Sequence, residues 1–376
     1  MPKARPRFSR GHPQYILKLK MKRSLKRILI SPLDWGLGHA TRCIPIIKEL
    51  QIEGAEVIIA GEGRSAELLK QEFPNLEFLH LPGYEISYPE KGGMALHMML
   101  SAPGILRGIR NEHKTLQKII RERKIDLVIS DNRYGLWSHE VPCIFITHQV
   151  FIQAPFAAGL LHRQTAKYMS RFSECWIPDL EGEDNLAGCL AHTKPLPDHC
   201  FFIGPLSRFR FQERKPVSKY DLVISLSGPE PQRSVFEKEV LAQIAGMPRK
   251  ILLLQGITNK PFRKEEGNRT IVSHLCAGDM MEVLSGTSLL ICRSGYSSIM
   301  DAAVLGKKCI FIPTPGQTEQ EYLASYHAEK GHCIALEQKS FDLNEAVVKA
   351  EFIRGFEGKQ FSDIVLKERL MKWLEI

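Results

Sequence analysis

The stretch Leu289-Leu-Ile-Cys-Arg-Ser-Gly-Tyr-Ser-Ser-Ile-Met-Asp301 passes from a short apolar run into an amphipathic one. Residues 289–292 are typical of a buried parallel strand, and the apolar spacing after Gly295 predicts a helix that ends at Gly306. The first amides of such a helix lack helical partners and favour an anion such as a diphosphate. Asp301, less than two turns into the helix, can accept hydrogen bonds from a ribose diol. The stretch therefore predicts a nucleotide site.

A second polar segment, Pro313-Thr-Pro-Gly-Gln-Thr-Glu-Gln-Glu-Tyr322, follows the next apolar run. Together the two segments resemble the donor half of the MurG-like family 28 glycosyltransferases, which have the GT-B fold. The resemblance implies that Asp301 binds the ribose and that Gln320 contacts the donor sugar. Glu321 stands where the family usually has a second glutamine, so the preferred sugar stays open. The donor-binding residues expected here are Arg293, Ser294, Gly295, Ser297, Ser298, Asp301, Gln317, Gln320 and Glu321. The alternative is that Gly295 is only a tight turn and Asp301 an exposed acid.

The first polar loop, Ser31-Pro-Leu-Asp-Trp-Gly-Leu-Gly-His39, also follows an apolar run and leads into a helical pattern. His39 lies close to the helix N-terminus, whose dipole disfavours imidazolium, so the side chain should be neutral and able to accept a proton. We expect it to be the general base for an acceptor hydroxyl, or else a histidine that merely orders the turn. The loop resembles the Gly-rich turn that opens the family's acceptor domain. The acceptor-binding residues expected are Asp34, Trp35, Gly36, Gly38 and His148.

Two of these acceptor residues have a second interpretation. Trp35 could stack on a sugar or pack between domains, and His148 could be a hydrogen-bonded core histidine. In the second half, Ser227 and Gly228 occupy the place of the family's phosphate loop. Because Pro229 and Pro231 have no amide hydrogen, binding of the diphosphate there should be weaker, and a plain proline turn is the alternative.

Length and periodicity divide the chain into two domains. The 376 residues alternate apolar runs with amphipathic ones on either side of a charged segment. We predict an α/β fold class with two Rossmann-like, doubly wound domains facing each other across a cleft, the GT-B arrangement. The predicted parts are a disordered basic tail (1–24), an acceptor domain (25–204), a linker (205–219), a donor domain (220–350) and a C-terminal helix within 351–376 that, as the resemblance implies, packs back on the first domain.

The predicted strands of the first domain are 27–31, 56–60, 76–80, 126–130 and 143–147, and its predicted helices are 39–53, 64–73 and about 104–123. In the second domain we predict strands at 221–225, near 250–255, 270–273, 288–292 and 309–313, with helices near 231–245, 279–286, 296–305 and 318–330. The last helix is predicted at about 359–375.

The basic charge is concentrated at the N-terminus. The net charge is +9, but residues 1–27 hold ten Lys or Arg and no acid, which leaves 41 basic and 42 acidic residues elsewhere. No basic face interleaved with aromatic residues follows, so we expect no nucleic-acid partner. Residues 94–106 are rich in Met and Leu and run into a basic stretch, which favours peripheral contact with an anionic membrane. A flexible, Met-rich acceptor lid is the alternative.

Nine scattered cysteines without a Cys-x-x-Cys pair indicate buried reduced thiols, so no metal is expected. There is no apolar run of about 18 residues and no apolar core of a secretion signal, so we expect a cytoplasmic protein, peripheral at most on the inner face of the plasma membrane.

Together with the family resemblance, these patterns imply a metal-independent glycosyltransferase that needs no cofactor beyond its UDP-sugar co-substrate. It would move a sugar, on the resemblance an N-acetylhexosamine, to a hydroxyl acceptor with inversion. The resemblance also suggests a lipid-linked acceptor or a cell-envelope glycan precursor. Two alternatives stay open: a nucleotide-sugar hydrolase or epimerase on the same fold, and a non-catalytic nucleotide-sugar-binding protein.

Overall fold

The computed structural model describes residues 25–83, 94–152, 158–210, 219–358, 361–362 and 364–375, with the backbone alone for 94–101, 158, 160 and 161. The predicted tail (1–24) and residues 211–218 of the predicted linker lie outside the described residues. So do the side chains of the Met-rich run up to residue 100.

Seven parallel strands form the first sheet, in the order β3-β2-β1-β4-β5-β6-β7. Its inner strands are continuous apolar runs because helices cover both faces. The strands are β1 (Arg27–Pro32), β2 (Glu56–Gly61), β3 (Glu77–His80), β4 (Leu127–Asp131), β5 (Cys143–Ile146), β6 (Glu174–Ile177) and β7 (Cys200–Phe202). Five were predicted to within a residue or so. The predictions missed β6, which begins with an acid, and β7, which has only three residues.

The helices of the first domain are α1 (Leu37–Ile52), α2 (Gly63–Glu72), α3 (Met94–Arg123), α4 (Ala158–Met169) and the single turn α5 (Cys189–His192). Helix α3 begins about ten residues before its predicted start and contains Pro103. Helix α4 was not predicted. None of the described helices combines the length and the hydropathy that crossing a membrane requires.

The second sheet also has seven strands, in the order β10-β11-β9-β8-β12-β13-β14, and only the edge strand β10 is antiparallel. The strands are β8 (Leu222–Ser225), β9 (Ile251–Leu254), β10 (Arg263–Glu266), β11 (Arg269–Val272), β12 (Leu289–Cys292), β13 (Lys308–Phe311) and β14 (Cys333–Ala335). The predictions missed β10 and β14. All four residues of β10 are charged, so no apolar pattern marks it.

The helices of the second half are α6 (Gln232–Ile244), α7 (Ala277–Gly286), α8 (Tyr296–Leu305), α9 (Thr318–Glu329), α10 (Leu343–Ala350) and α11 (Ile364–Leu374). The last helix, α11, contacts the first domain. Lys372 Nζ lies 2.5 Å from Glu174 Oε1, and the guanidinium of Arg369 lies 3.4 Å from the ring centre of Phe201.

Side chains of the first domain bind the backbone of the second across the cleft. Arg64 Nη1 donates to the Gly228 carbonyl at 3.1 Å, and Gln71 Nε2 donates to the Thr258 carbonyl at 2.7 Å. Both donors lie on α2, so this helix fixes the approach of the two sheets. The carboxyl ends of their parallel strands, where ligands bind in open α/β sheets, are thereby brought to one cleft.

Candidate active site

His39 and Asp131 form a hydrogen-bonded pair at the carboxyl edge of the first sheet. The parallel pairing of β1 with β4 places Pro32 beside Asp131, so the loop that leaves β1 begins next to this carboxylate. The loop turns at Gly36, whose φ of 151° suits glycine, and α1 begins at the next residue. His39 Nδ1 consequently lies 2.8 Å from Asp131 Oδ1.

The contact with the Asp131 carboxylate decides which nitrogen of His39 carries the proton. Arg42 donates from Nε and Nη2 to the two carboxylate oxygens of Asp131, and its Nη2 also lies 2.9 Å from His39 Nδ1. Two acceptors cannot lie 2.8 Å apart without a proton between them. Nδ1 of His39 therefore carries the proton and donates it to Asp131, so its approach to Arg42 Nη2 is not a hydrogen bond. Nε2 is the nitrogen that can accept a proton.

Burial lowers the pKa of His39 from 6.5, and the adjacent Arg42 lowers it further, although Asp131 acts in the opposite direction. The imidazole is therefore neutral at pH 7, as a general base must be. The sequence predicted this state from the helix dipole, and the structure adds burial and the adjacent Arg42 as causes.

The pH profile of the reaction should show this pKa. Because only neutral His39 accepts a proton, kcat/KM should rise with pH through a value below 6.5 and be level at neutral pH. A profile measured with the acceptor well below saturation, between pH 4.5 and 8, would reveal it. An acidic limb centred above pH 7 would contradict the assignment.

Arg42 and Asp131 are desolvated, with exposed side-chain fractions of 2% and 0%. Burial by itself would raise the pKa of Asp131, but Arg42 and His39 outweigh that and lower it. The carboxylate consequently stays ionised beside the base and can stabilise the imidazolium that forms when His39 accepts a proton.

His148 connects this pair to the second domain. Its Nδ1 lies 3.0 Å from Arg42 Nη1, and its Nε2 lies 2.8 Å from Glu319 Oε1 on α9. The ring also stacks on Tyr296 with centroids 4.1 Å apart. Nδ1 therefore accepts from the guanidinium while Nε2 donates to the carboxylate. His148 is thus the hydrogen-bonded histidine that the sequence left open, and its contact with the acceptor stays a prediction.

Glu319 is the second-domain end of this connection. Burial favours a higher pKa for its carboxyl group, but the contact with His148 prevails and lowers the pKa, so Glu319 is ionised. A chain of contacts thus runs from Glu319 through His148 and Arg42 to Asp131 and the base. Closure of the domains is required to make it.

The N-terminus of α8 faces the base loop. Gly295 is its N-cap residue, with no side-chain cap bond, and a Cβ added there would meet no atom within 4 Å. Ser297 Oγ donates to the Gly38 carbonyl at 2.8 Å. Space and uncapped helix amides, which together suit an anion, therefore lie beside the loop that carries His39.

The side chains of Arg293 and Ser294 form structural hydrogen bonds. Arg293 donates through Nη1 to the carbonyls of Ile312 and Pro313, both at 2.9 Å, and through Nη2 to Gln338 Oε1 at 2.7 Å. Ser294 Oγ is fully buried and donates to a main-chain carbonyl of α9 at 2.7 Å. These two side chains hold the loops of the second sheet together, and their contact with the donor stays a prediction.

Asp301 is buried and already bonded. Its Oδ1 accepts from Ser207 Oγ at 2.7 Å, and its Oδ2 accepts from Arg208 Nε at 3.1 Å. Burial raises the pKa of Asp301, although Arg208 acts against this. The alternative of an exposed helix acid is wrong. A ribose diol would have to use the remaining lone pairs of this carboxylate or displace Ser207 and Arg208.

The loop before α9 is shaped by its own side chains. Gln320 Oε1 accepts from the Thr314 amide, and Glu321 Oε1 accepts from the Gly316 amide, both at 2.8 Å. Gln317 is the N-cap residue of α9. These bonds orient the Gln320 carboxamide and turn the Glu321 carboxylate back onto the loop.

The predicted phosphate loop lies at the cleft. Ser227 and Gly228 are half-buried, and Gly228 has a φ of 111°, which favours glycine. Its carbonyl accepts from Arg64 of the first domain. Ser298 is also half-buried, on the first turn of α8. The structure thus brings both serine segments to the side of the cleft formed by the second domain.

Asp34 and Trp35 are positioned by structural contacts. Asp34 Oδ1 accepts from the Ser65 amide near the start of α2 at 2.9 Å. Trp35 packs against a small apolar cluster that includes Leu33 and Ile109. The role of Asp34 toward the acceptor stays a prediction, and Trp35 packs within the first domain and not between the domains.

The sequence interpretation missed Asp131, Arg42 and Glu319. Two signals could have indicated the first two: Asp131 ends a buried strand beside the first loop, and Arg42 lies three residues after His39, on the same helix face. Glu319 had no such signal, because its partner belongs to the other domain.

Comparison with known proteins supports this assignment. Residues 256–353 match the glycosyltransferase family 28 C-terminal domain. The UDP-N-acetylglucosamine--N-acetylmuramyl-(pentapeptide) pyrophosphoryl-undecaprenol N-acetylglucosamine transferase of Actinobacillus pleuropneumoniae serotype 5b is 39% identical over 332 residues, which cover 84% of this chain and 86% of that protein. The chain belongs to glycosyltransferase family 28. A glycosyltransferase of Methanosarcina mazei is 23% identical over 322 residues, with 81% and 84% of the two chains covered.

Solved structures show the fold of this family 28 enzyme. The glycosyltransferase SnogD from Streptomyces nogalater superposes with a TM-score of 0.60 at 14% identity, covering 93% of this chain and 100% of that chain. MurG from Acinetobacter baumannii gives a TM-score of 0.51 at 13% identity over 93% and 99% of the chains. The predicted GT-B fold and the predicted glycosyltransferase class are confirmed.

Proposed function

We infer that this family 28 enzyme transfers a sugar from a UDP-sugar to a hydroxyl acceptor with inversion, with His39 as the base. The observation that carries the inference is the position of the His39–Asp131 pair, which lies beside the uncapped N-terminus of α8. The 2.8 Å bond from Ser297 Oγ to the Gly38 carbonyl fixes that proximity. A base and a diphosphate site on opposite walls of one cleft suit direct displacement.

In this mechanism His39 Nε2 removes the proton of the acceptor hydroxyl as its oxygen attacks the anomeric carbon. The bond from that carbon to the diphosphate oxygen breaks, and the released negative charge is stabilised by the α8 amides. Asp131 stabilises the imidazolium. A single displacement inverts the anomeric configuration and needs no covalent enzyme intermediate. The chemistry uses no metal, and closure of the domains aligns the two substrates.

The names of the relatives indicate which donor and acceptor to propose for this enzyme. Several are named as transferases of N-acetylglucosamine from its UDP form to a pyrophosphoryl-undecaprenol acceptor. We therefore propose a UDP-N-acetylhexosamine donor and a lipid-linked acceptor for this enzyme. Glu321, which replaces the usual glutamine, is the donor-loop position most suited to changing the sugar.

Helix α3 supports a site for such an acceptor at a membrane. Its exposed basic residues recur at three- and four-residue spacing and form one stripe, and Leu106 beside them has an exposed fraction of 42%. The stripe consists of Arg107, Arg110, Lys114, Lys118 and Arg121. We propose that it contacts an anionic membrane from the cytoplasmic side.

A thermal-shift panel of UDP-, GDP- and dTDP-sugars tests the donor assignment. Ligands that bind only the folded state raise the melting temperature, and at 100 times Kd the stabilisation is about 2.7 kcal/mol. UDP-sugars should shift the wild type most. Asp301→Asn should lose much of the shift, whereas Glu329→Gln, at the exposed end of α9, should retain it.

An equal shift with all three nucleotides would contradict the UDP assignment, and an unchanged shift in Asp301→Asn would contradict the ribose contact.

The same samples separate the reaction classes. Rapid UDP release without acceptor would indicate a hydrolase. A changed sugar that remains attached to UDP would indicate an epimerase. This class shares the fold: the UDP-GlcNAc 2-epimerase of Neisseria meningitidis superposes with a TM-score of 0.58 at 14% identity, covering 94% of this chain and 100% of that chain.

A further inference from the structure

Three side chains with metal-binding atoms meet at the outer edge of the first sheet, and none of them belongs to the His39 network. Cys175 on β6 and Cys200 on β7 are register partners on adjacent parallel strands, so both thiols lie on the same face. His199 precedes β7 in a turn closed by the Cys200 amide and the Pro197 carbonyl at 2.9 Å. The turn frees its side chain from strand alternation and lets it join the two sulfurs.

The ligand atoms are nearly placed for one ion. The two Sγ atoms and one imidazole nitrogen of this group lie within 4.8 Å of one another. In a tetrahedral site with Zn–S near 2.3 Å, ligand atoms are about 3.8 Å apart. The group therefore needs to contract by about 1 Å at most, which rotation about side-chain bonds can supply.

The surroundings of His199 favour a bound ion over a disulfide between the two cysteines. His199 Nε2 is buried, and among the described residues it has no hydrogen-bond partner. A buried polar atom without a partner costs about 1–3 kcal/mol. A disulfide between Cys175 and Cys200 would leave that nitrogen unsatisfied, whereas a cation bound through Nε2 would satisfy it.

We propose that Cys175, His199 and Cys200 bind a zinc-class divalent cation, with a water molecule as the fourth ligand. Two sulfurs and one imidazole are ligands that zinc accepts and that calcium and magnesium avoid. Binding transfers the two thiol protons to solvent and involves no oxidation. A surface cleft of about 590 Å³ that includes Cys200 provides an entry path. The ion clamps β7 to β6, and β7 leads into Ser207, the partner of Asp301.

The full chain, purified with a tag that contains no histidine after growth with added zinc, should contain about one zinc per chain. Cobalt added to the metal-free protein should give a thiolate-to-cobalt charge-transfer absorption. Cys175→Ser and Cys200→Ser should lose zinc, and His199→Gln should weaken binding by at least about tenfold. Cys143→Ser, a buried cysteine of β5 in the same sheet, is the matched control and should bind as wild type does.

A measurement on the wild-type chain guards against variants that misfold. Removing zinc with a chelator should lower the melting temperature, and adding zinc back should restore it, because the ion binds the folded state. The affinity should also rise with pH, since two protons are released. Wild-type protein without zinc after supplementation would overturn the proposal. So would unchanged zinc in Cys175→Ser, or a peptide mass showing residues 175 and 200 joined by a disulfide.

Discussion

Replacing His39 with alanine should lower kcat for sugar transfer by about 10²–10⁴-fold, the usual contribution of a positioned general base. The side chain donates from Nδ1 to Asp131 and leaves Nε2 for the acceptor hydroxyl, so alanine removes the only function that we assign to it. The donor site lies on the other domain, so the affinity for UDP measured by calorimetry should be unchanged. Transfer of a radiolabelled sugar gives kcat.

The matched control is His192→Ala. His192 also bonds an aspartate, Asp179, at 2.9 Å, but it stacks on Phe202 at the far strand of the sheet. This variant should keep a kcat near that of the wild type. Asp131→Asn should lower kcat about as much as His39→Ala does. The introduced amide can donate to Nδ1 of His39, which favours the tautomer with the proton on Nε2. An active His39→Ala variant would show that another group, or water, takes the proton.

Replacing Arg42 with methionine should destabilise the protein by about 3–5 kcal/mol, because it leaves Asp131 charged and buried without its main partner. Arg42 bonds both oxygens of that carboxylate, and both side chains are almost fully buried. Urea unfolding of the full chain measures the loss as a lower midpoint. The acidic limb of the pH profile should also move upward, since Arg42 lowers the pKa of His39.

Arg121→Met provides the comparison for this effect. Arg121 also pairs with an acid, Glu140, but 71% and 41% of the two side chains are exposed. Surface pairs contribute about 0–1 kcal/mol, so this variant should unfold near the wild-type midpoint. Equal midpoints for the Arg42 and Arg121 variants would mean that the buried cluster does not contribute the stability assigned to it.

The sequence was sufficient for most of the fold because parallel strands covered on both faces are continuous apolar runs. Leu289–Cys292 and Tyr296–Leu305 were predicted almost to the residue. The apolar pattern did not reveal strands whose residues are not selected by burial. Strand β10 is charged and lies at a sheet edge, and β7 has three residues, so neither could be recognised.

The site was predictable in position but not in its bonds. The helix start at Gly295 and the loop before His39 follow from local sequence, since each is a strand-to-helix turn. Some polar side chains of the site form hydrogen bonds within the protein, and their partners are far away in the sequence. Arg293 bonds the loop after β13, and Asp301 bonds Ser207 and Arg208 from between the two sheets. No local pattern carries that information.

The most direct test of the central claim is a crystal structure of this enzyme with a UDP-sugar bound. We expect diphosphate oxygens within about 2.7–3.1 Å of backbone amides in the first turn of α8, with the anomeric carbon facing His39. A nucleotide bound elsewhere, with no diphosphate in the space beside Gly295, would contradict this expectation.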